Sequence, residues 1–74
     1  LMSMNKTISF NLQNKFIELN KLLKVLSLVE TGGQANKLIS EGLIEYNGKI
    51  ETRKRLKVKK GDNIVFGNII ISVL

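Results

Sequence analysis

Apolar residues in this chain keep two different periods, and the change between them limits what it can fold into. Between Thr7 and Leu12 they alternate, with Ile8, Phe10 and Leu12 on one side and Thr7, Ser9 and Asn11 on the other. That is the repeat of a half-buried strand. From Lys15 to Val29 the spacing lengthens to three and four. Phe16, Leu19, Leu22, Leu23, Leu26 and Val29 line one stripe, and Asn20, Lys21 and Lys24 face the other way. That spacing predicts an amphipathic helix.

Thr31-Gly32-Gly33 stops this helix and opens another. Thr31 and Gln34 stand in capping-box spacing, in which each side chain satisfies an orphan backbone N–H. Ala35, Leu38 and Ile39 make the apolar stripe of a short helix over about Gly33 to Glu41, and Gly42 suits the position just past its end. Asn47-Gly48 then separates Leu43–Tyr46 from Lys49–Thr52, the strongest short-range hairpin signal because both residues tolerate positive φ. After a basic stretch from Arg53 to Lys60 and a Gly61-Asp62 turn, Asn63–Phe66 and Ile69–Val73 read as a second hairpin around Gly67-Asn68. The apolar final strand is expected to be paired inside the sheet rather than left as an edge. The order is strand, helix, helix and four strands. It predicts an α+β domain with two helices packed on one face of a small antiparallel sheet.

The 74 residues make one small domain, and no repeat or linker divides them. With no cysteine and no histidine, disulfides, thiolate chemistry, the serine triad and the commonest metal ligand are all missing. The carboxylates Glu18, Glu30, Glu41, Glu45, Glu51 and Asp62 show no paired spacing, and Gly32-Gly33 lacks the spacing of a P-loop. No catalytic residue, metal, cofactor or small-molecule substrate is therefore expected. No apolar run approaches the roughly 18 residues of a membrane span, and no signal peptide is visible. The expected location is the cytoplasm, with no membrane partner. Leu1–Ser3 reads as a non-native remnant ahead of Met4.

Twelve Lys and Arg against six Asp and Glu leave a net charge of +6. Lys49, Arg53, Lys54, Arg55, Lys57, Lys59 and Lys60 are crowded together with Glu51 alone among them. Such crowding is relieved by a phosphate backbone, and it is also found in plain solvated loops. Lys21 and Lys24 on the first helix and Lys37 on the second add to a one-sided charge. Phe10, Phe16 and Phe66 fall on apolar faces and read as core. Tyr46 is the aromatic expected at the surface, which is too little for a platform of stacked single-stranded bases. Cations on helices with few aromatics fit structured RNA held by shape and phosphates. They fit non-specific DNA or acidic-surface binding as well, and also a protein-interaction module whose basic face meets an acidic partner.

A set of short motifs narrows this choice. Phe16-Ile17-Glu18-Leu19-Asn20-Lys21-Leu22-Leu23-Lys24, Thr31-Gly32-Gly33-Gln34-Ala35, Leu38-Ile39-Ser40-Glu41-Gly42, Asn47-Gly48, Glu51-Thr52-Arg53 and Gly61-Asp62 follow one another in order. Together they resemble the RNA-binding domain named after ribosomal protein S-four, and within it the stand-alone, bacterial-type YbcJ/YaaA-like branch. The resemblance covers about Phe16 to Phe66. It implies an αL-type fold with structured RNA, ribosomal or transfer, bound across the helices and the basic loop. By position it implies contacts from Lys21 and Lys24, from Thr31, Gln34 and Lys37, and from Arg53, Lys54 and Lys57; Arg55, which departs from the family pattern, joins the candidates as part of the basic cluster. Gly33, Gly42, Gly48 and Gly61 read as backbone requirements, and Asp62 as the residue that orders its turn.

Overall fold

Ile71 sits in an interior strand of the sheet with a partner on each side, Ile8 in one neighbouring strand and Ile64 in the other. The computed structural model describes residues 5–74, so the reading of Leu1–Ser3 lies outside the described residues. The elements run β1 (Lys6–Phe10), β2 (Ile17–Glu18), α1 (Leu19–Val25), α2 (Gly32–Ser40), β3 (Ile44–Tyr46), β4 (Lys49–Ile50), β5 (Lys57–Val58), β6 (Asn63–Phe66) and β7 (Ile69–Val73). The main sheet has the order β1-β7-β6-β3-β4, and β2 pairs separately with β5.

The final strand is covered on both sides, as its apolar composition requires. One departure is the direction of β1, which runs parallel to β7 while the other pairings are antiparallel. A parallel neighbour cannot be reached by a tight turn, and here the whole intervening chain is the crossover. Leu12 N–H donates to the Leu74 carbonyl and Leu74 N–H to the Phe10 carbonyl, each at 2.8 Å, which zips the two chain ends together.

The two helices cover one face of this sheet. Leu19, Leu22 and Leu23 of α1 and Ala35 and Ile39 of α2 are fully buried with Ile44, Val58, Ile64 and Ile71. Phe10 and Phe66 pack against this cluster, as expected. Asn20 Nδ2 donates to Asn36 Oδ1 at 3.0 Å and ties the helices to each other.

The first helix is shorter than its hydrophobic period predicts. Residues 15–18 are not helical, because Ile17 and Glu18 pair with Val58 and Lys57. Phe16 is therefore not a core residue but lies at the surface, 38% exposed. At the other end Val29 is buried, yet it follows a turn in which Ser27 takes φ 60°. Ser27 N–H donates to the Lys24 carbonyl at 2.9 Å and Leu28 N–H to the Leu23 carbonyl at 3.0 Å. That is a Schellman ending with serine in the left-handed position.

The second helix begins one residue earlier than predicted. Thr31 Oγ1 accepts from Gln34 N–H at 3.1 Å, while the Gln34 side chain accepts from the N–H of Glu30 at 2.6 Å rather than from that of Thr31. The box closes one residue wider than the standard one. Gly42 ends the helix with φ 77°. Asn47 and Gly48 both have positive φ, as a two-residue type I′ hairpin demands.

Tyr46 is not the exposed aromatic the sequence suggests. Two positions from Ile44, it shares that residue's face of the strand, and it is half-buried against the core.

Candidate nucleic-acid interface

The basic stretch is not an open loop. Val58 is fully buried, and its strand partner is Ile17, immediately ahead of α1. Cations at 53, 54, 55, 57, 59 and 60 remain exposed around this anchor. At the far end Asp62 Oδ2 accepts from Lys59 N–H at 2.8 Å and from the Tyr46 hydroxyl at 2.6 Å, and Oδ1 accepts from Asn47 Nδ2 at 3.2 Å. Asp62 therefore orders its turn, as expected, and also locks it to the first hairpin. These hydrogen bonds keep its carboxyl below the usual range despite partial burial. The same bond to Asp62, with burial second, pushes the Tyr46 phenol up to about 12.

At the near end Arg53 is set by Glu51. Nε donates to Oε2 at 2.9 Å, Nη2 to Oε1 at 3.1 Å, and the Arg53 backbone N–H to Oε2 at 3.0 Å. The guanidinium beside it holds the Glu51 carboxyl below its usual range. Only one edge of the guanidinium is used. The edge formed by Nη1 and the second Nη2 hydrogen faces away from Glu51, on a side chain that is 72% exposed.

The stretch is also joined to α1. A helix leaves its first N–H groups without intrahelical partners, and Glu18 supplies no side-chain cap. Instead Leu19 N–H donates to the Leu56 carbonyl at 2.9 Å and Asn20 N–H to the Lys54 carbonyl at 3.0 Å. The chain that carries Lys54 and Arg55 thus caps the helix that carries Lys21 and Lys24. Between them Lys57 Nζ stands 4.9 Å from the centre of the Phe16 ring.

Two grooves follow from this arrangement. Phe16, Glu18, Lys21 and Lys24 line one, and Arg53, Arg55, Lys57 and Lys59 line the other. Of the predicted contact residues, Lys21, Lys24, Arg53, Lys54, Arg55 and Lys57 are brought together. Thr31, Gln34 and Lys37 are not part of this band. Thr31 and Gln34 spend their oxygens on the cap of α2, and Gln34 and Lys37 border a separate depression beside Glu41. Phe16 and Lys59 line the grooves without having been singled out as contacts. The helical period hid the first, and nothing in the sequence distinguishes Lys59 from Lys60.

This architecture defines a small α+β domain with a basic band running from its first helix to its fifth strand. The S4 domain family matches residues 10–74, and the chain belongs to that family. It is 38% identical over 58 residues to "Putative RNA-binding protein YbcJ" of Escherichia coli (strain K12), covering 78% of this chain and 83% of that protein. An uncharacterized YbcJ of Shigella flexneri matches to the same extent. The solution structure of Escherichia coli YbcJ superposes with a TM-score of 0.71 at 33% identity, covering 100% of this chain and 95% of that one. It is described as revealing an αL motif involved in RNA binding. Among the described residues, no helix is long and apolar enough to cross a membrane.

Proposed function

We propose that this chain is a single-domain, non-catalytic RNA-binding protein of the cytoplasm that holds structured RNA, ribosomal or transfer, by its phosphates and shape. The observation that carries the reading is the capping of α1 by the Leu56 and Lys54 carbonyls, which fuses two separate groups of cations into one surface. Arg53 offers the outer edge of its fork to one phosphate, already oriented by Glu51. Lys54, Arg55 and Lys57 extend the band, and Lys21 and Lys24 meet the same backbone from the helix. Lys37, with Thr31 and the Gln34 amide, touches the RNA at its margin. The S4 domain match and the RNA-binding description of YbcJ support RNA over other anionic partners.

The test is competition at fixed salt among a folded RNA, a DNA duplex of equal length and an acidic peptide. RNA displaces both other ligands if the reading is right. Equal displacement by DNA reduces the band to a general anion surface, and a preference for the peptide makes this a protein-interaction module.

A further inference from the structure

We propose that the groove beside β2 and α1 seats one unpaired nucleobase of the RNA, one that carries N–H donors on its pairing edge, guanine foremost. The proposal rests on the RNA-binding reading above. The groove has a volume of about 750 Å³, within the usual span for a small-molecule site. Its floor includes Phe16, 38% exposed, and Val25, 60% exposed. Phosphates gain nothing from such a floor, whereas the flat apolar face of a base does.

Charge selects the occupant. Lys21 and Lys24 line the groove, and Lys57 Nζ lies 4.9 Å from the centre of the Phe16 ring. An occupant with a phosphate on either side of an apolar plate matches that layout, and an unpaired nucleotide is such a molecule.

The single carboxylate in the groove adds selectivity. Glu18 lies 3.7 Å from Lys21 Nζ, longer than a hydrogen bond, so its oxygens keep accepting capacity. Its side chain is 25% exposed, which shields it from water. Guanine presents two adjacent N–H donors that suit a carboxylate, and cytosine and adenine present one amino group each. Uracil presents one N–H between two carbonyls that repel it. The same carboxylate disfavours an acidic lipid headgroup in this groove.

The test uses one hairpin RNA in three forms: a fully paired stem, the stem with a bulged guanosine, and the stem with a bulged uridine. The wild-type protein should bind the guanosine form about fivefold or more tighter than the paired stem, on the scale of one base stacked on an aromatic ring. The uridine form should fall between them. Phe16→Ser should erase the difference among the three RNAs, bringing them to one common affinity. Glu18→Gln should narrow the gap between guanosine and uridine. Because Phe16 also touches Lys57, Val25→Ser gives a second, independent change in the floor and should lower the bulge preference alone. Tight binding of the paired stem with no gain from either bulge overturns the proposal. So does an equal loss on all three RNAs in Phe16→Ser and Val25→Ser. Failure of the wild-type protein to bind any of the three removes the RNA-binding reading itself.

Discussion

Glu51 grips one edge of the Arg53 guanidinium and leaves the other edge free, with Nε to Oε2 at 2.9 Å and Nη2 to Oε1 at 3.1 Å. A flexible arginine must lose rotamer freedom before it can hold a phosphate with two bonds. Here part of that ordering is done in the unbound protein. Arg53→Ala should weaken RNA binding about five- to thirtyfold, on the scale of a lost charge-assisted hydrogen bond. Lys24→Ala, which removes a mobile point charge, should cost less. Arg53→Lys keeps the charge without the fork and should recover only part of the loss. All three should stay folded, with Lys24→Ala melting near wild type and Arg53→Ala lower only by the Glu51 contacts it loses. Wild-type affinity in Arg53→Ala, or a collapsed melt as its only defect, would refute this role.

The number of phosphates held by the band sets the salt response. With four to six contacts, log affinity should fall against log salt with a slope of about −3 to −5, as displaced counterions are counted. Arg53→Ala should make the slope shallower by about one. A titration in potassium chloride on both proteins checks this. A flat line for the wild type would mean that the basic band is not the binding surface.

The two ends of the helices show what the sequence discloses and what it conceals. Gly42 and Ser27 occupy the same left-handed position in the same type of ending, at φ 77° and 60°. Glycine announces that position and serine does not, so the end of α2 was readable and the end of α1 was not. The start of α1 was hidden for another reason. Phe16 continues the helical spacing, but hydrogen bonds to a segment some forty residues away hold residues 17–18 extended. Local period cannot report a long-range pairing. The hairpins and the second cap depend on neighbouring residues and were legible, and the covered last strand was legible from its own apolar composition. The basic band was legible as charge only. Its shape depends on Val58, one apolar residue in a charged run.

Those two helix endings predict opposite outcomes for opposite substitutions. An L-residue in the left-handed region costs about 1–2 kcal/mol. Ser27→Gly should stabilise the protein by about 0.5–1 kcal/mol after the greater entropy of glycine in the unfolded chain is subtracted. Gly42→Ala should destabilise it by about 1–2 kcal/mol. An added Cβ at Gly42 would meet Ile50 Cγ2 at 3.5 Å, an ordinary contact, so the cost lies in the backbone rather than in a clash. In a domain of this size each kcal/mol moves the melting temperature by about 4–8 °C. Melts of the two variants should therefore shift in opposite directions.

Val58 separates a packed strand from a solvated loop. It is fully buried and anchors the strand that pairs with Ile17 and Glu18. Val58→Ala should cost about 1–3 kcal/mol of stability. It should also loosen the Leu56 and Lys54 carbonyls that cap α1. Hydrogen exchange at Leu19 and Asn20 N–H should then accelerate more than exchange at Ile64 or Ile71 in the sheet. A stability change near zero would return residues 57–58 to the loop that the charge pattern suggests.

The hydroxyl of Tyr46 donates to the carboxylate of Asp62 at 2.6 Å, and this bond should make stability depend on pH. Tyr46 is the single tyrosine of the chain, so phenolate absorbance reports it alone. Its midpoint should lie at about 12 rather than the ordinary 10.0, because ionisation would place a second negative charge against Asp62 and break their hydrogen bond. Asp62→Asn should bring the midpoint back toward the ordinary value. The sign for stability follows from linkage. A raised phenol contributes stability that is complete below its unfolded pKa of 10.0 and is lost as pH rises toward about 12. The carboxyls of Asp62 and Glu51 are lowered, so their contribution is complete above the unfolded carboxylate range and is lost as pH falls through their folded values. Stability should therefore be flat between about pH 5 and 10 and decline on both sides. In Asp62→Asn the alkaline decline should shrink, because folded and unfolded phenols then titrate at nearly the same pH, and the part of the acid decline carried by Glu51 should remain. Denaturant melts of wild type and Asp62→Asn across this range, read beside the absorbance titration, decide it. A wild-type midpoint near 10.0 would mean that the Tyr46–Asp62 bond does not persist in solution.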